Sequence, residues 1–137
     1  TLTDEEQGHF SSFLSDYVTE AQTKEEINMV YKKNGYIMDT HTAVASRAWR
    51  NLNQDGHSTN PAVIVSTASP YKFPEAVLAA LGVEAETLTD QELLERLNEL
   101  SKVPYPPAIE GLLEAERLHD TTIEVSDVRE FVQKIAK

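Results

Sequence analysis

Residues 61–82, PAVIVSTASPYKFPEAVLAALG, carry the clearest architectural signal in the chain. Residues 62–65 are four consecutive apolar side chains, three of them β-branched, which is typical of a strand buried on both faces. Such strands belong mostly to parallel sheets that are covered by helices. Polar residues follow, and Pro74 and Gly82 then mark the start and the end of a helix. The segment therefore predicts strand, loop and helix, which is half of a βαβ unit.

The polar loop after this strand is the candidate ligand site. In open α/β sheets, ligands bind just beyond the carboxyl ends of the strands. This rule places the hydroxyls of Ser66, Thr67 and Ser69 at a ligand, with Lys72 behind them. The alternative is that these are ordinary loop and capping residues.

The composition argues against several classes of function. The chain has 137 residues and a net charge of −11, which opposes binding to nucleic acid and to anionic membranes, so we expect neither as a partner. No apolar run approaches the roughly 20 residues of a membrane-spanning helix, and no signal segment opens the chain, so we expect a cytoplasmic protein. The chain lacks cysteine and its histidines are scattered, so we expect no metal site. The histidines are His9, His41, His57 and His119.

Most of the remaining sequence predicts helices. An apolar stripe predicts a first helix over residues 4–18, and a leucine stripe predicts another over residues 93–100. A short helix is predicted around residues 109–114, after a proline-rich linker at residues 103–108. Capping residues indicate the helix starts, and Asn34-Gly35 indicates one end. The starts are Thr3 with Glu6, Thr23 with Glu26, Asp39 or Thr40, Thr89 with Glu92, and Ser126.

Strands are few. Besides residues 62–65, only residues 36–38 and 121–125 suit a strand, which is too little sheet for a self-contained doubly wound domain. The first residue is Thr1 rather than Met, so we expect the missing strands upstream in a longer protein. The predicted fold class is α/β, with mostly helices around few parallel strands. Without its neighbours, the strand at residues 62–65 exposes an unpaired edge, which favours self-association.

Two segments resemble a known enzyme family. Residues 34–45, NGYIMDTHTAVA, are similar to the Gly-Tyr-x-x-Asp-Pro-His-Thr-Ala-Val segment of bacterial and fungal threonine synthases. Residues 65–74, VSTASPYKFP, are similar to their Ser-Thr-Ala-x-Pro-x-Lys-Phe segment, in the same order and at a similar separation. The chain departs from the pattern at Thr40, where the family usually has Pro, a residue that is optional at a helix start. The resemblance extends over residues 1–81 and is looser from Gly82 onward.

The resemblance implies the C-terminal part of a pyridoxal-phosphate enzyme of fold type II. That enzyme converts O-phospho-L-homoserine and water to L-threonine and phosphate, a step of threonine biosynthesis. Residues 1–82 would belong to the large cofactor-binding α/β domain, and residues 83–137 to a C-terminal helical extension with a short strand. The family's Schiff-base lysine and Gly-rich phosphate loop lie further N-terminal, and nothing in this chain matches them. The chain alone would therefore be inactive and would work with the N-terminal remainder of the same enzyme.

The resemblance also implies roles for residues of the loop. Thr67 is the hydroxyl expected to meet the pyridine nitrogen of pyridoxal phosphate, with Ser66 in that role if the register differs by one residue. A neutral hydroxyl leaves that nitrogen largely unprotonated, so the ring is a milder electron sink than one paired with Asp. Lys72 would bind the substrate phosphate as a point charge, unless it is simply solvated at an unfavourable end of the helix dipole.

His41 is the second candidate for substrate binding. It stands at a helix start, where backbone N–H groups point outward and favour anions. The alternative is that it is an ordinary surface residue.

A function of a different class also fits this sequence. The chain could be a stand-alone acidic α/β interaction module without catalysis, which docks a partner through apolar faces at residues 93–100 and 109–113. Upstream sequence with a family-like lysine loop would favour the enzyme instead.

Overall fold

The regular elements of the chain are helices. They are α1 (Asp4–His9), α2 (Glu20–Asn34), α3 (Thr40–Leu52), α4 (Pro74–Ala80), α5 (Asp90–Ser101) and α6 (Val128–Ile135), with 3-10 turns at Pro70–Lys72 and Val125–Asp127. These elements come from a computed structural model that describes residues 3–10, 13–54, 56, 59–116 and 118–136. His57, one of the four histidines, lies outside the described residues. None of the described helices is both long and apolar enough to cross a membrane.

Several predicted helix boundaries are confirmed. Asp39 caps α3 with its side chain, and Pro74 occupies the first turn of α4. Gly35 ends α2 with a φ of 69°, a left-handed conformation that glycine adopts without a steric cost. The predicted capping boxes at α1 and α5 are both formed, by Thr3 with Glu6 and by Thr89 with Glu92. Local side-chain chemistry therefore determines where these helices begin or end.

Other helix predictions are wrong. The first helix ends at His9 instead of residue 18, because the side chains of its apolar stripe are exposed and gain no packing that would extend it. Those side chains are Phe10, Phe13, Leu14 and Tyr17. The capping box of α2 is formed by Thr19 and Gln22, while the Thr23 hydroxyl donates to the carbonyl of Thr19. The chain at residues 109–114 forms turns instead of a helix.

The last helix also begins differently from the prediction. Ser126 lies in the 3-10 turn that precedes α6, and its hydroxyl donates to the side chain of Asp127 instead of capping the helix. No side-chain cap occurs at the start of α6.

The strand predictions are wrong for the described part of the chain. Residues 36–38, 62–65 and 121–125 are not in strands there, so the sheet of the predicted α/β class is not seen. Val63 and Val65 are 86% and 70% exposed, the opposite of a strand buried on both faces. A strand needs a neighbour to complete its backbone hydrogen bonds, and the described residues supply none.

The core lies between the four central helices. α2 packs against α3 and α4, and α4 packs against α5. The core is continuous across the predicted boundary between residues 82 and 83, because Leu78 of α4 and Leu97 of α5 are both fully buried in it. The division into two domains remains a prediction. The other buried apolar residues are Ile27, Ile37, Met38, Ala43, Tyr71, Val77, Ala80, Ala85, Leu93 and Leu94.

Candidate functional site

The two family-like segments meet at the start of α3. The hydroxyl of Ser66, in the loop before α4, lies 3.1 Å from the hydroxyl of Thr42. Thr42 in turn donates a hydrogen bond to the carboxylate of Asp39, which is only 1% exposed. Three side chains thus connect residues 65–74 to residues 34–45, although the hydroxyls of Thr42 and Ser66 are 24 residues apart in sequence.

A second contact between the same segments lies beside this one. The ring centroids of His41 and Phe73 are 5.2 Å apart. The Lys72 Nζ atom lies 5.4 Å from the Phe73 centroid, within the range of a cation–π interaction. The structure therefore brings both candidate substrate-binding side chains to one phenylalanine. The His41 side chain is 60% exposed and Lys72 is exposed, so both can be reached from solvent.

His41 and Phe73 also line a concave surface of about 320 Å³ between α2, α3 and α4. Val44 and Ala76 form part of its apolar wall. Ser66 and Thr67 are not part of this lining. The hydroxyls of the loop therefore lie outside the concave surface. The remaining lining residues are Val18, Glu20, Thr23 and Thr40.

The start of α3 is a poorer anion site than the sequence indicates. The Asp39 Oδ1 atom accepts hydrogen bonds from the backbone N–H groups of His41 at 2.9 Å and Thr42 at 3.1 Å. These N–H groups are the ones that an anion would use, and a carboxylate already occupies them. Any anion binding by His41 must therefore come from its own side chain.

Ser66 and Thr67 differ in what their hydroxyls contact. The Ser66 hydroxyl contacts Thr42 and also lies 3.4 Å from the carbonyl oxygen of Ala68. Thr67 is exposed, and within the described residues its hydroxyl has no hydrogen-bond partner. Of the two adjacent hydroxyls, that of Thr67 is the one with free capacity for a ligand.

The far end of the loop is fixed by Tyr71, which is 3% exposed. Its hydroxyl donates to the carbonyl of Val103 at 2.8 Å and accepts from the Asn98 side chain at 2.9 Å. The Ser69 hydroxyl accepts from the Tyr71 backbone N–H at 3.3 Å, so Ser69 is a capping residue of the 3-10 turn. Ser69 is therefore an ordinary capping residue, as the alternative interpretation of the loop predicts. Through Tyr71, α5 and the segment after it hold this end of the loop in place.

Sequence reasoning missed the linking roles of Thr42, Asp39 and Phe73. Capping is the only role that the sequence analysis predicts for Asp39, although an Asp three residues before a Thr at a helix start allows both side chains to meet in one turn. This Asp-x-x-Thr spacing is a usable signal. Nothing local to Phe73 indicates that its ring would contact His41.

Comparison with known proteins matches the chain to one family. The family model described as "Threonine synthase, C-terminal" matches residues 42–132. The chain is 32% identical to the mouse (Mus musculus) protein named threonine synthase-like 1, over 85% of this chain. It is 43% identical to a threonine synthase of Pseudomonas aeruginosa over 47% of the chain, and 30% identical to one of Schizosaccharomyces pombe over 77%.

These relatives are much longer than the chain. The matched region covers 15% of the mouse protein, 13% of the Pseudomonas protein and 18% of the Schizosaccharomyces protein. The match with the C-terminal family model includes the ligand loop and most of α3.

Proposed function

The chain belongs to the threonine synthase family, and from this premise we propose that it is the C-terminal portion of a pyridoxal-phosphate enzyme that converts O-phospho-L-homoserine and water to L-threonine and phosphate. In this proposal, the N-terminal remainder of the same enzyme supplies the lysine that binds the cofactor covalently and the loop that binds the cofactor phosphate. The 137-residue chain alone is then inactive.

One structural observation supports this proposal. The two segments that resemble the family, 31 residues apart at their starts in sequence, contact each other through Thr42 and Ser66 and again through His41 and Phe73. Residues that serve one site must lie together in space, and these do. The proximity supports a shared role at one ligand.

The described residues fit one edge of the cofactor. Thr67 presents an exposed hydroxyl without an internal partner in the described chain, as a donor to the pyridine nitrogen requires. When bound, pyridoxal phosphate supplies a conjugated ring that takes up negative charge formed on the substrate. The Thr67 hydroxyl would orient the ring by donating to its nitrogen, and as a neutral group it would leave that nitrogen largely unprotonated. Ser66 would hold the loop in position through its contact with Thr42.

Lys72 and His41 would serve the substrate phosphate. Both are exposed and both contact Phe73, so one aromatic ring limits where the two side chains can reach. Lys72 would act as a flexible point charge, since an ammonium group has no fixed fork for a phosphate. His41 would donate from its ring nitrogen.

The alternative, a stand-alone interaction module, is not favoured by the family match. One of its two proposed docking faces is also unavailable, because Leu93, Leu94 and Leu97 of α5 lie in the core at 0% to 7% exposure. Leu112 and Leu113 remain about half exposed, which is too small an apolar surface to define a partner.

The experiment compares the whole protein that carries this chain with the chain alone. Each is mixed with pyridoxal phosphate and O-phospho-L-homoserine, and released phosphate and threonine are measured. We expect equal amounts of both products from the whole protein and neither from the chain. L-Homoserine, which lacks the leaving group, is the control substrate. Threonine formation by the chain alone, or its absence from a whole protein that binds the cofactor, would contradict the proposal.

A further inference from the structure

The hydroxyl of Thr42 links a buried carboxylate to the ligand loop. A threonine hydroxyl carries a single hydrogen, and the carboxylate of Asp39 only accepts, so the Thr42 hydrogen is committed to Asp39. The same hydroxyl lies 3.1 Å from that of Ser66, whose own hydrogen has the carbonyl oxygen of Ala68 as an acceptor at 3.4 Å. Thr42 therefore bridges Ser66 and Asp39.

The two adjacent loop hydroxyls differ in their contacts. The Ser66 hydroxyl already has Thr42 and the carbonyl oxygen of Ala68 within hydrogen-bond distance. The neighbouring Thr67 hydroxyl is exposed and, among the residues described, unpartnered. Because Asp39 and Thr42 are 1% and 5% exposed, solvent competes little for their part of this hydrogen-bond chain.

We propose that Thr42 is a positioning residue: by bridging Ser66 and the buried carboxylate of Asp39, it holds the loop so that the Thr67 hydroxyl faces the cofactor. The inference rests on the proposed function and adds a residue to it. Thr42 itself touches neither cofactor nor substrate and acts through Ser66.

The main variant is Thr42→Val in the whole protein, which keeps the shape of the side chain and removes the hydroxyl. The cofactor is removed, and the affinity for added pyridoxal phosphate is measured by fluorescence titration. We expect affinity to fall about fivefold, the effect of one hydrogen bond. We also expect kcat to fall by a similar factor, while KM for O-phospho-L-homoserine changes by less than about twofold.

A double-mutant cycle with Ser66→Ala separates positioning from general destabilisation. If Thr42 acts through Ser66, Thr42→Val has no further effect on cofactor affinity once Ser66 is alanine. Loss of the hydrogen bond to Asp39 occurs in both backgrounds and is measured separately by thermal unfolding. Thr42→Ser keeps the hydroxyl and should restore affinity. Thr89→Val is the matched control, because the Thr89 hydroxyl also donates to a carboxylate, that of Glu92, but belongs neither to the loop nor to the concave surface.

The outcomes are distinct. Fivefold weaker binding with Thr42→Val, restored by Thr42→Ser and absent in the Ser66→Ala background, supports the proposal. Wild-type affinity in the Thr42→Val variant, or an equal effect of it in both backgrounds, overturns it while the proposed function stands. A wild-type whole protein that binds no pyridoxal phosphate overturns the proposed function, and the inference with it.

Discussion

The hydroxyl of Ser46 on α3 donates a hydrogen bond of 2.7 Å to the carboxylate of Glu26 on α2. Arg50, one turn further along α3, forms an ion pair with the same carboxylate. Glu26 is only 1% exposed, so its charge has little access to water and depends on these two partners. The pair fixes α3 against α2, and thereby fixes the start of α3 that meets the ligand loop.

Replacing Arg50 by Met should destabilise the chain substantially. The methionine keeps the packing of the stem, but Glu26 is then a buried carboxylate with only Ser46 as a partner. We expect the free energy of unfolding to fall by about 2 kcal/mol, measured by urea denaturation. Arg96→Met is the matched control, because Arg96 pairs with Glu99 at an exposed site and should contribute about 0.5 kcal/mol or less. Equal losses for the two variants would show that Glu26 is not effectively buried.

Replacing Leu97 by Ala tests the core. Leu97 of α5 is fully buried in the core, where α5 packs against α4, and its truncation leaves a cavity. We expect a loss of about 3 kcal/mol in unfolding free energy. Leu112→Ala, at a residue that is 54% exposed, should change stability by less than about 0.5 kcal/mol. A much smaller loss of unfolding free energy in Leu97→Ala would mean that α5 does not pack against α4 in solution.

The capping box at α5 predicts a pH dependence. The backbone N–H and the hydroxyl of Thr89 donate to the carboxylate of Glu92, and these bonds lower the Glu92 pKa below its ordinary value. A lowered pKa means that the contribution of the carboxylate to stability is complete above the ordinary glutamate pKa. That contribution is lost as the pH falls through the lower, folded value. A carboxyl NMR titration should show the lowered pKa.

Thr89→Ala is the control for this titration. It removes the hydroxyl bond, so the Glu92 pKa should move up toward the ordinary value. The pKa of Glu6 in the equivalent box of α1, lowered by Thr3, should stay where it is. An unchanged Glu92 pKa in Thr89→Ala would show that the backbone N–H of residue 89 alone lowers it.

Local chemistry explains which parts of the fold could be predicted. Asp39, Gly35 and the Thr89 box act within one turn of helix, so the sequence beside each of them contains the information needed. The sequence of residues 62–65 does not contain this information, because a strand exists only where another strand completes its hydrogen bonds. The apolar stripe after α1 fails for a related reason: Phe13 and Tyr17 are 75% and 81% exposed, which is too little packing within the described residues to stabilise a longer helix.

The residues of the candidate site also divide into those that local sequence predicts and those that depend on packing. The loop residues, with Lys72 and His41, could be named from the strand-end rule, the helix start and the family-like segments. The link from Ser66 to Asp39 spans 27 residues of sequence and depends on how α3 packs beside the loop. Periodicity and capping patterns do not contain that packing, so Thr42 emerged only from the structure.

The exposed segment at residues 62–65 predicts self-association of the chain. Val63 and Val65 are largely exposed in a segment outside the helices, and the described residues supply no strand beside it. An apolar, β-branched segment left unpaired in this way can pair with another copy. Sedimentation velocity should therefore show a sedimentation coefficient that rises with concentration, and Val63→Lys should suppress the rise. Val103→Lys, an exposed valine outside this segment, should not. A wild-type chain that stays monomeric at high concentration would contradict the prediction.

Replacing Thr67 by Val in the whole protein tests the assigned hydroxyl. Valine keeps the shape, and no hydrogen bond within the described chain is lost, so thermal stability should change little. The pyridine nitrogen loses its donor, which costs about 1 to 3 kcal/mol and corresponds to a fall in turnover of roughly tenfold to hundredfold. Ser66→Ala should have a smaller effect on turnover, because the Ser66 hydroxyl is engaged with Thr42 and the Ala68 carbonyl instead of with the ligand. If Thr67→Val kept full turnover while Ser66→Ala abolished it, the register of the loop would differ by one residue and Ser66 would take the ligand role.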